Sequence, residues 1–258
     1  MKQLLIVLSL SFTSHASGLS NVESRIIGGA KISQARAAQL GVVGIFNTES
    51  MTICSGTLIP NERILTAAHC VASAPIGIHV IFRTDLNEFI ANPDASRGDV
   101  RSTRFVAVHP GWNHGSKEDE NDIALIGLDR PAPVDYIVQS FTQQQRQISA
   151  GTTALIAGFG ANEIAHDPAT GKIRHLGPGI LRESTVKISD VGENEVLVDQ
   201  SAGSGACVGD SGGPGYLIES GKILLWGVVS RGSNNECNAV GKYTNVVPYL
   251  DWINGQSE

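Results

Sequence analysis

The sequence of 258 residues is poor in charged and in aromatic side chains. Charged residues make up 17% of the chain and aromatic residues 5%, whereas glycine occurs 29 times, and this balance favours a turn-rich β protein over a helical one. The formal net charge is −6 and no block of basic residues is present, so nucleic acid is not an expected partner. A hydrophobic share of 41% supports a packed core in one large domain or two small ones.

No hydrophobic run reaches the length that spans a bilayer. The apolar residues 4–12 follow the positively charged Lys2, which is typical of a secretory signal. The small residues Ser14 and Ala16 precede a candidate cleavage site, so residues 1–16 are predicted to be a signal peptide. The mature chain is then expected to be exported and soluble, without a membrane anchor; a buried N-terminal strand is the alternative interpretation.

Cysteine is scarce as well, with four residues, Cys54, Cys70, Cys207 and Cys237. Export makes disulfides the expected state, and four cysteines allow three pairings. Two cysteines in each half of the chain suggest the bridges Cys54–Cys70 and Cys207–Cys237. No C-x-x-C spacing is present, which counts against the competing interpretation of a metal site, so no metal is predicted.

Short apolar runs of β type recur along the chain, separated by Gly, Pro, Asn or Asp at the spacing of sandwiches and barrels. Alternating strand–helix units are absent, so an all-β fold is expected. The best helix candidate is residues 246–254, and the Pro-bearing residues 129–140 form the natural linker between two halves. The predicted strands cover residues 42–46, 53–59, 63–68, 79–82, 124–128, 153–158 and 222–230.

One serine stands in a setting typical of nucleophiles: "GDSGGP" places Ser211 in the loose pattern G-x-S-x-G. A serine hydroxyl needs a base within hydrogen-bond reach, and that base needs an orienting acid. All seven histidines precede Ser211, which excludes the Ser–acid–His order of α/β-hydrolases. The order His–Asp–Ser is available, with His69 in "LTAAHC" and Asp122 in "NDIALI", although each of these residues alone is more commonly structural.

Seven motifs in order carry a resemblance to a known family: "RIIGG", "LTAAHC", "NDIALI", "GDSGGP", "GVVSRG", "GKYTNV" and "YLDWI". Over residues 26 to about 254 the chain resembles the chymotrypsin/trypsin family of serine endopeptidases. The resemblance implies two antiparallel six-stranded β-barrels with the active site between them and a short C-terminal helix. It implies an N-terminal barrel in residues 26–138 and a C-terminal barrel in residues 139–258.

The same resemblance assigns the catalytic roles. His69 is expected to be the general base, Asp122 its orienting acid and Ser211 the nucleophile of an acyl-enzyme mechanism. The backbone N–H groups of Gly209 and Ser211 are expected to form the oxyanion hole. No cofactor is implied, and the rate is expected to fall below about pH 7 as His69 becomes protonated.

The resemblance also explains the acid beside the nucleophile. Cleavage after Arg25 would free the α-amino group of Ile26, which would fold inward and pair with Asp210. Residues 17–25 would then be a propeptide, and an Arg-specific protease would be the activating partner. Apart from the two predicted bridges, other disulfides common in animal members have no cysteines here, which resembles bacterial members more. The chain would be extracellular, or periplasmic in a bacterium.

The expected specificity pocket is neutral. The resemblance assigns it to Gly205 at the base, with Ser230, Gly232 and Gly241, and this open pocket suggests a chymotrypsin-like preference for large apolar or aromatic residues. Glu236 on the rim leaves trypsin-like specificity as an alternative. Arg231 stands where the family usually has Trp; it would select acidic groups upstream of the scissile bond, or lie solvated at the surface.

The expected partners are protein or peptide substrates and protein protease inhibitors. A catalytically inactive family member that acts as a binding or regulatory module is the second hypothesis, which the complete triad disfavours. Some members of the family bind calcium in a loop that corresponds to residues 83–99. The acidic residues of this segment are not spaced in a diagnostic way, so calcium binding there is left open.

Overall fold

Two closed β-barrels make up most of the computed structural model, which describes residues 26–113 and 121–256. The predicted signal peptide and propeptide lie outside these residues. The described strands are, in chain order, β1 (Ala30–Lys31), β2 (Val42–Asn47), β3 (Thr52–Ile59), β4 (Arg63–Thr66), β5 (Ile78–Ile81), β6 (Val100–Val108), β7 (Ala124–Leu128), β8 (Ser140–Phe141), β9 (Thr153–Gly158), β10 (Glu163–His166), β11 (Ile173–Leu176), β12 (Arg182–Val191), β13 (Glu195–Asp199), β14 (Pro214–Glu219), β15 (Lys222–Gly232) and β16 (Val240–Asn245). The described α-helices are α1 (Gln34–Leu40), α2 (Asn87–Ala91) and α3 (Leu250–Gly255), and 3-10 turns cover Ala68–Cys70, Gln145–Gln147 and Val247–Tyr249.

The first barrel has the closed antiparallel strand order β2–β3–β4–β7–β6–β5. Strands β2 and β7 are buried along their whole length, which explains why they are nearly continuous apolar runs rather than alternating ones. Strand β4 is equally buried, although it begins with Arg63 and ends with Thr66. Strand β6 is half-buried over much of its length and carries more polar residues. The buried side chains of this barrel form one continuous apolar core.

The second barrel has the order β12–β13–β16–β15–β14–β9 and closes through the pair β9–β12. Its core contains the fully buried rings of Trp226 and Tyr243, whose centroids lie 5.2 Å apart. Strand β8 follows the predicted boundary between residues 138 and 139 and pairs in parallel with β15. The predicted all-β fold, with two six-stranded barrels and a short C-terminal helix, is confirmed.

Each end of the described chain packs on the barrel that is more distant in sequence. Strand β1 pairs with β12, and Ile26 is buried in the core of the second barrel. Helix α3 instead packs on the first barrel, where Ile253 joins the core and its carbonyl accepts a hydrogen bond from Nη1 of Arg63. These exchanged ends join the two barrels and fix the cleft between them.

Helix α1 leads the chain from the N-terminal arm into the first barrel. The Ser33 hydroxyl accepts a hydrogen bond from the Arg36 N–H at 3.2 Å, which satisfies one donor of the first turn. Gly41 ends the helix with a φ of 63°, in the left-handed region that glycine adopts without steric cost. Within the described residues no helix is long and apolar enough to cross a membrane.

Candidate active site

His69 lies in the 3-10 turn that directly follows β4, at the end of the first barrel that faces the second. Its neighbour Cys70 is bonded to Cys54 of β3, so the predicted bridge Cys54–Cys70 anchors this turn to the barrel wall. The sequence separation of 16 corresponds to roughly 3 kcal/mol in the chain-entropy account of disulfide stabilisation. One third of the His69 side chain is exposed, so the ring can be reached from the cleft.

Asp122 directly precedes β7 and points its buried carboxylate at His69. Its Oδ1 accepts the backbone N–H of His69 at 3.0 Å, and its Oδ2 lies 2.8 Å from Nδ1 of the ring. Because the carboxylate accepts, Nδ1 carries the hydrogen and Nε2 is left as the basic nitrogen. Burial works against ionisation of Asp122, but the hydrogen bonds from His69 and Ser230 outweigh it and hold its pKa below the ordinary value.

The second barrel contributes two further hydrogen bonds to Asp122. The Ser230 hydroxyl, on β15, donates to Oδ2 of Asp122 at 2.6 Å, and the Thr244 hydroxyl, on β16, donates to the Asp122 carbonyl at 2.9 Å. These three residues and His69 stand where the two barrels meet. The geometry of the Asp122–His69 pair therefore depends on the docking of one barrel against the other.

Ser211 lies in the loop between β13 and β14, opposite His69 across the interface of the barrels. Its carbonyl accepts the N–H of Ser55 at 2.8 Å, and the Ser55 hydroxyl donates to the Gly209 carbonyl at 3.0 Å. Ser55 is fully buried and also accepts the N–H of Phe159. A single residue of the first barrel thus holds the carbonyls of Gly209 and Ser211, the first through its hydroxyl and the second through its backbone N–H.

Close backbone packing explains the glycines around Ser211. Gly209 has a φ of 100°, and a Cβ on it would lie 2.9 Å from the Cα of Gly160. Gly212 has a φ of 79°, and a Cβ there would lie 2.0 Å from Oγ1 of Thr66. No hydrogen bond joins the Ser211 hydroxyl to the His69 ring within residues 26–113 and 121–256, a looseness that is common in sites without bound substrate.

A cavity of about 280 Å³ opens beside Ser211. Three of the four predicted pocket residues line it, namely Ser230, Gly232 and Gly241. The other lining residues are Ala206, Cys207, Val208, Ser211, Val229, Arg231, Asn234, Asn235, Cys237 and Tyr243. The predicted bridge Cys207–Cys237 is present and forms part of this wall.

The Gln200 side chain packs against Gly205, the expected base of the pocket. Gly205 itself is buried and is not among the residues that line the cavity. The Gln200 side chain fills the space that a side chain on Gly205 would take, since a Cβ there would lie 2.3 Å from its Cδ. The buried Gln200 amide donates to the carbonyls of Ala206 and Cys237 and accepts the N–H of Ala206, so a satisfied neutral amide closes this end.

Arg231 is the one charged residue that lines the cavity in the described part of the chain. Its Nη2 lies 2.5 Å from Oε1 of Glu195, so its charge is paired within the protein and is not solvated alone. Glu236 does not line the cavity, and its carboxylate accepts a hydrogen bond from Nδ2 of Asn238. The lining is therefore close to neutral overall.

A protein-family model described as Trypsin matches residues 26–253. The chain belongs to the trypsin family of serine proteases. Kallikrein-12 of Homo sapiens is 32% identical to it over 227 residues, which cover 84% of this chain and 86% of the relative. Trypsin of Sus scrofa is 31% identical over 208 residues, with 78% and 83% covered. Chymotrypsin-like elastase family member 1 of Bos taurus is 26% identical over 265 residues, with 98% of each chain covered.

The fold comparison agrees with this family. The solved structure of human heparin binding protein matches with a TM-score of 0.68 at 23% sequence identity, and the match covers 89% of this chain and 95% of that one. At this identity the likeness shows the fold alone. With relatives named as proteases, the predicted enzyme class is confirmed as a chymotrypsin/trypsin-type serine endopeptidase, which acts on proteins or peptides.

Asp210, beside the nucleophile, is buried in the trypsin-type fold. Its carboxylate accepts the N–H groups of Gly160 and Cys207, each at 2.8 Å. Burial raises the pKa of Asp210 to about 7, although these two hydrogen bonds and the charge of Arg182 act in the opposite direction. Ile26 is 1% exposed, and the neighbouring Ile27 forms a β-bridge with Gly205 in the same loop.

The acidic residues within residues 83–99 are partly engaged by arginines. Glu88 pairs with Arg83 at 2.8 Å and with Arg97 at 3.0 Å, and Asp99 pairs with Nε of Arg83 at 2.8 Å. The hydrogen bonds and charges of Arg97 and Arg83 hold the pKa of Glu88 below its ordinary value. In this arrangement guanidinium groups neutralise two of the carboxylates.

Several residues of the site carry no signal in the sequence. None of the seven motifs contains Ser55, Gln200 or Glu195. Ser55 lies in a predicted strand, directly after Cys54, but nothing in the sequence assigns it a role. Each acts on residues distant in sequence, through contacts that only the closed barrels create. Ser230 was expected only in the pocket, and its hydrogen bond to Asp122 is an additional role.

Proposed function

We propose that Ser211, His69 and Asp122 are the nucleophile, general base and orienting acid of this endopeptidase. The observation that carries the proposal is the pair of hydrogen bonds from His69 to the buried Asp122. They leave Nε2 of His69 free to take the Ser211 proton during attack on the carbonyl carbon, and to return it to the leaving amine. The same base then takes a proton from a water molecule, which hydrolyses the ester bond between the acyl group and Ser211.

The oxyanion of each tetrahedral intermediate would be bound by the N–H groups of Gly209 and Ser211. Neither N–H donates to another group within residues 26–113 and 121–256, so both are available to a substrate. Each such donor contributes about 3–4 kcal/mol to transition-state stabilisation. The hydrogen bonds from Ser55 support this assignment, because they fix the carbonyls of the same two residues, Gly209 and Ser211.

The substrate preference we infer is for a large apolar or aromatic side chain before the scissile bond. A cavity of about 150 Å³ already holds benzene in a protein interior, and the cavity beside Ser211 measures about 280 Å³. No carboxylate lines it within the described residues, and the amide of Gln200 is fully hydrogen-bonded. A basic side chain would lose its hydration there without gaining a partner.

Activation by cleavage after Arg25 is the second part of the proposal. The buried Asp210 lacks a charged hydrogen-bond partner among the described residues, and a freed ammonium group on Ile26 would supply one. Since a neutral pocket does not accept arginine, an Arg-specific protease has to make this cut. Purified precursor that matures unaided, and fails to do so after Ser211→Ala, would contradict this point.

The remaining parts of the proposal are export and partners. Residues 1–16 would direct secretion and residues 17–25 would be the propeptide, so the mature enzyme acts outside the cell or in a periplasm. Protein substrates and protein protease inhibitors would occupy the same cleft. No cofactor takes part in the mechanism.

The test uses chain cleaved after Arg25 and peptides that differ only in the residue before the scissile bond: Phe, Leu, Ala, Arg or Glu. We expect kcat/KM for Phe and Leu to exceed that for Arg and Glu by about 100-fold, because a buried unpaired charge costs several kcal/mol. The Ser211→Ala chain is the control. A preference for Arg would contradict the pocket assignment; no hydrolysis of any peptide would favour a binding module instead.

A further inference from the structure

A side chain in the cleft connects the catalytic acid to a second ion pair. Arg231, on β15, is 19% exposed and pairs through Nη2 with Glu195 of β13 at 2.5 Å. Its Nη1 donates a hydrogen bond to the Ser230 hydroxyl at 3.2 Å. That hydroxyl donates to Oδ2 of Asp122 at 2.6 Å, and the same oxygen lies 2.8 Å from Nδ1 of His69. Short contacts thus run without a gap from Glu195 to the catalytic base.

The strand geometry explains why Ser230 reaches the acid. The pairing of β15 with β16 is regular at Val229 and resumes at Arg231, so Ser230 is the extra residue of a β-bulge. Bulges redirect a side chain and are frequent beside active sites. Here the bulge turns Ser230 toward Asp122 and places the Arg231 side chain within hydrogen-bond distance of the Ser230 hydroxyl.

The direction of the hydrogen bonds is fixed by chemistry. A guanidinium has five N–H donors and no acceptor, so the Ser230 oxygen can only accept from Arg231. The single hydrogen of the Ser230 hydroxyl is then committed to Asp122. Glu195 in turn holds the guanidinium in place, since a paired planar fork has little freedom to rotate away.

We propose that Arg231, held by Glu195, is a positioning residue that keeps the Ser230 hydroxyl aimed at Asp122 and thereby sets the electrostatic environment of His69. The proposal rests on the catalytic roles proposed above for His69 and Asp122. It differs from the sequence expectation that Arg231 selects acidic groups in the substrate, because the guanidinium is already paired with Glu195.

The sign of the effect follows from the charges. Arg231→Gln removes a positive charge and leaves Glu195 unpaired, which favours the protonated form of His69 and raises the pH midpoint of its titration. Glu195→Gln removes the negative charge that faces the guanidinium and lowers that midpoint. The double substitution removes both charges and brings the midpoint back near that of the parent chain.

Other charged groups near this chain of contacts do not change between the variants. Lys242 lies opposite Arg231 in the register of β15 and β16. Asp210, whose own pKa is raised to about 7, directs its carboxylate to the N–H groups of Gly160 and Cys207 rather than to His69. Comparison within one set of variants, all in the same cleavage state, cancels their contribution.

The experiment is a histidine NMR titration of the chain cleaved after Arg25 in a Ser211→Ala background, which needs no turnover. At low ionic strength we expect Arg231→Gln to raise the His69 midpoint, and Glu195→Gln to lower it, by about half a pH unit each. Lys222→Gln, at the far end of β15, is the matched control and should leave the midpoint unchanged. The resonances of His79 and His175 report that each variant is folded.

A second cycle tests the route through the hydroxyl. In a Ser230→Ala background only the direct effect of the charges on His69 remains, because no hydroxyl is left to be oriented. The shift caused by Arg231→Gln should therefore fall to about half or less of its original size. An undiminished shift would overturn the positioning role, as would equal midpoints in all folded variants. If the parent chain lacks peptidase activity while these shifts are present, the failure lies in the proposed function and not in this inference.

Discussion

The charge state of Asp210 makes the stability of the uncleaved chain depend on pH in a way that can be calculated. The perturbation is Asp210→Asn in uncleaved chain that carries Ser211→Ala, so that no proteolysis occurs. Burial raises the pKa of the Asp210 carboxyl from 3.8 to about 7. Each pKa unit corresponds to about 1.4 kcal/mol, so above pH 7 the buried charge lowers the free energy of unfolding by on the order of 4 kcal/mol.

The pH window follows from the two pKa values. Well below 3.8 the carboxyl is protonated in both the folded and the unfolded chain, and it does not affect the equilibrium. Between 3.8 and about 7 the folded chain binds more protons than the unfolded chain, so the free energy of unfolding falls as the pH rises. Pairing with the freed ammonium group of Ile26 would reverse this and stabilise the cleaved chain at neutral pH.

The assay is urea unfolding of both uncleaved chains at a series of pH values, because the contributions of all other groups cancel in the difference. We expect the parent chain to lose stability relative to Asp210→Asn as the pH rises through this window. The Asn side chain loses one hydrogen bond to Gly160 or Cys207. This lowers the free energy of unfolding of the Asp210→Asn chain by a constant amount and does not change how that free energy varies with pH. If the free energies of unfolding of the two chains changed with pH in parallel, the Asp210 carboxyl would not be the cause of the pH dependence.

Two further predictions concern packing and covalent structure. Gly205→Ala should lower the free energy of unfolding by about 1–3 kcal/mol in thermal denaturation, because its Cβ would lie 2.3 Å from Cδ of Gln200. This loss should shrink in a Gln200→Gly background. Gly98→Ala is the control and should cost little, because Gly98 has open space around it. Equal losses for Gly205→Ala in both backgrounds would contradict the packing of Gln200 against Gly205. Replacement of Cys54 and Cys70 by Ser should lower the free energy of unfolding by roughly 3 kcal/mol, and no change would show that this bridge does not restrain the His69 turn.

The fold could be predicted where a strand is buried on both sides or carries a motif. The run at residues 42–46 became β2 and the run at 124–128 became β7, because continuous burial leaves a continuous apolar pattern. Strand β12 was not predicted, although it is ten residues long and pairs with three other strands. Its buried positions Val186 and Ile188 alternate with exposed polar residues, so the segment lacks the continuous apolar run by which the other strands were predicted.

The chemistry of the site was predictable to a similar degree. The order of His69, Asp122 and Ser211 was enough to propose the reacting groups, because the motifs that carry them are local in sequence. The role of Gln200 beside Gly205 could not be predicted from the sequence, because it depends on the packing of β13 against β16. The ion pair of Arg231 with Glu195 has the same origin, since the two residues meet across a third strand.

The central claim is that a base-activated Ser211 carries out the reaction. Its most direct test is the stoichiometry and site of labelling by an organofluorophosphate, measured by mass spectrometry on the chain cleaved after Arg25. We expect one label per chain, located on Ser211, and loss of labelling in His69→Ala. Labelling at another residue, or labelling of Ser211 that persists at the same rate in His69→Ala, would contradict it.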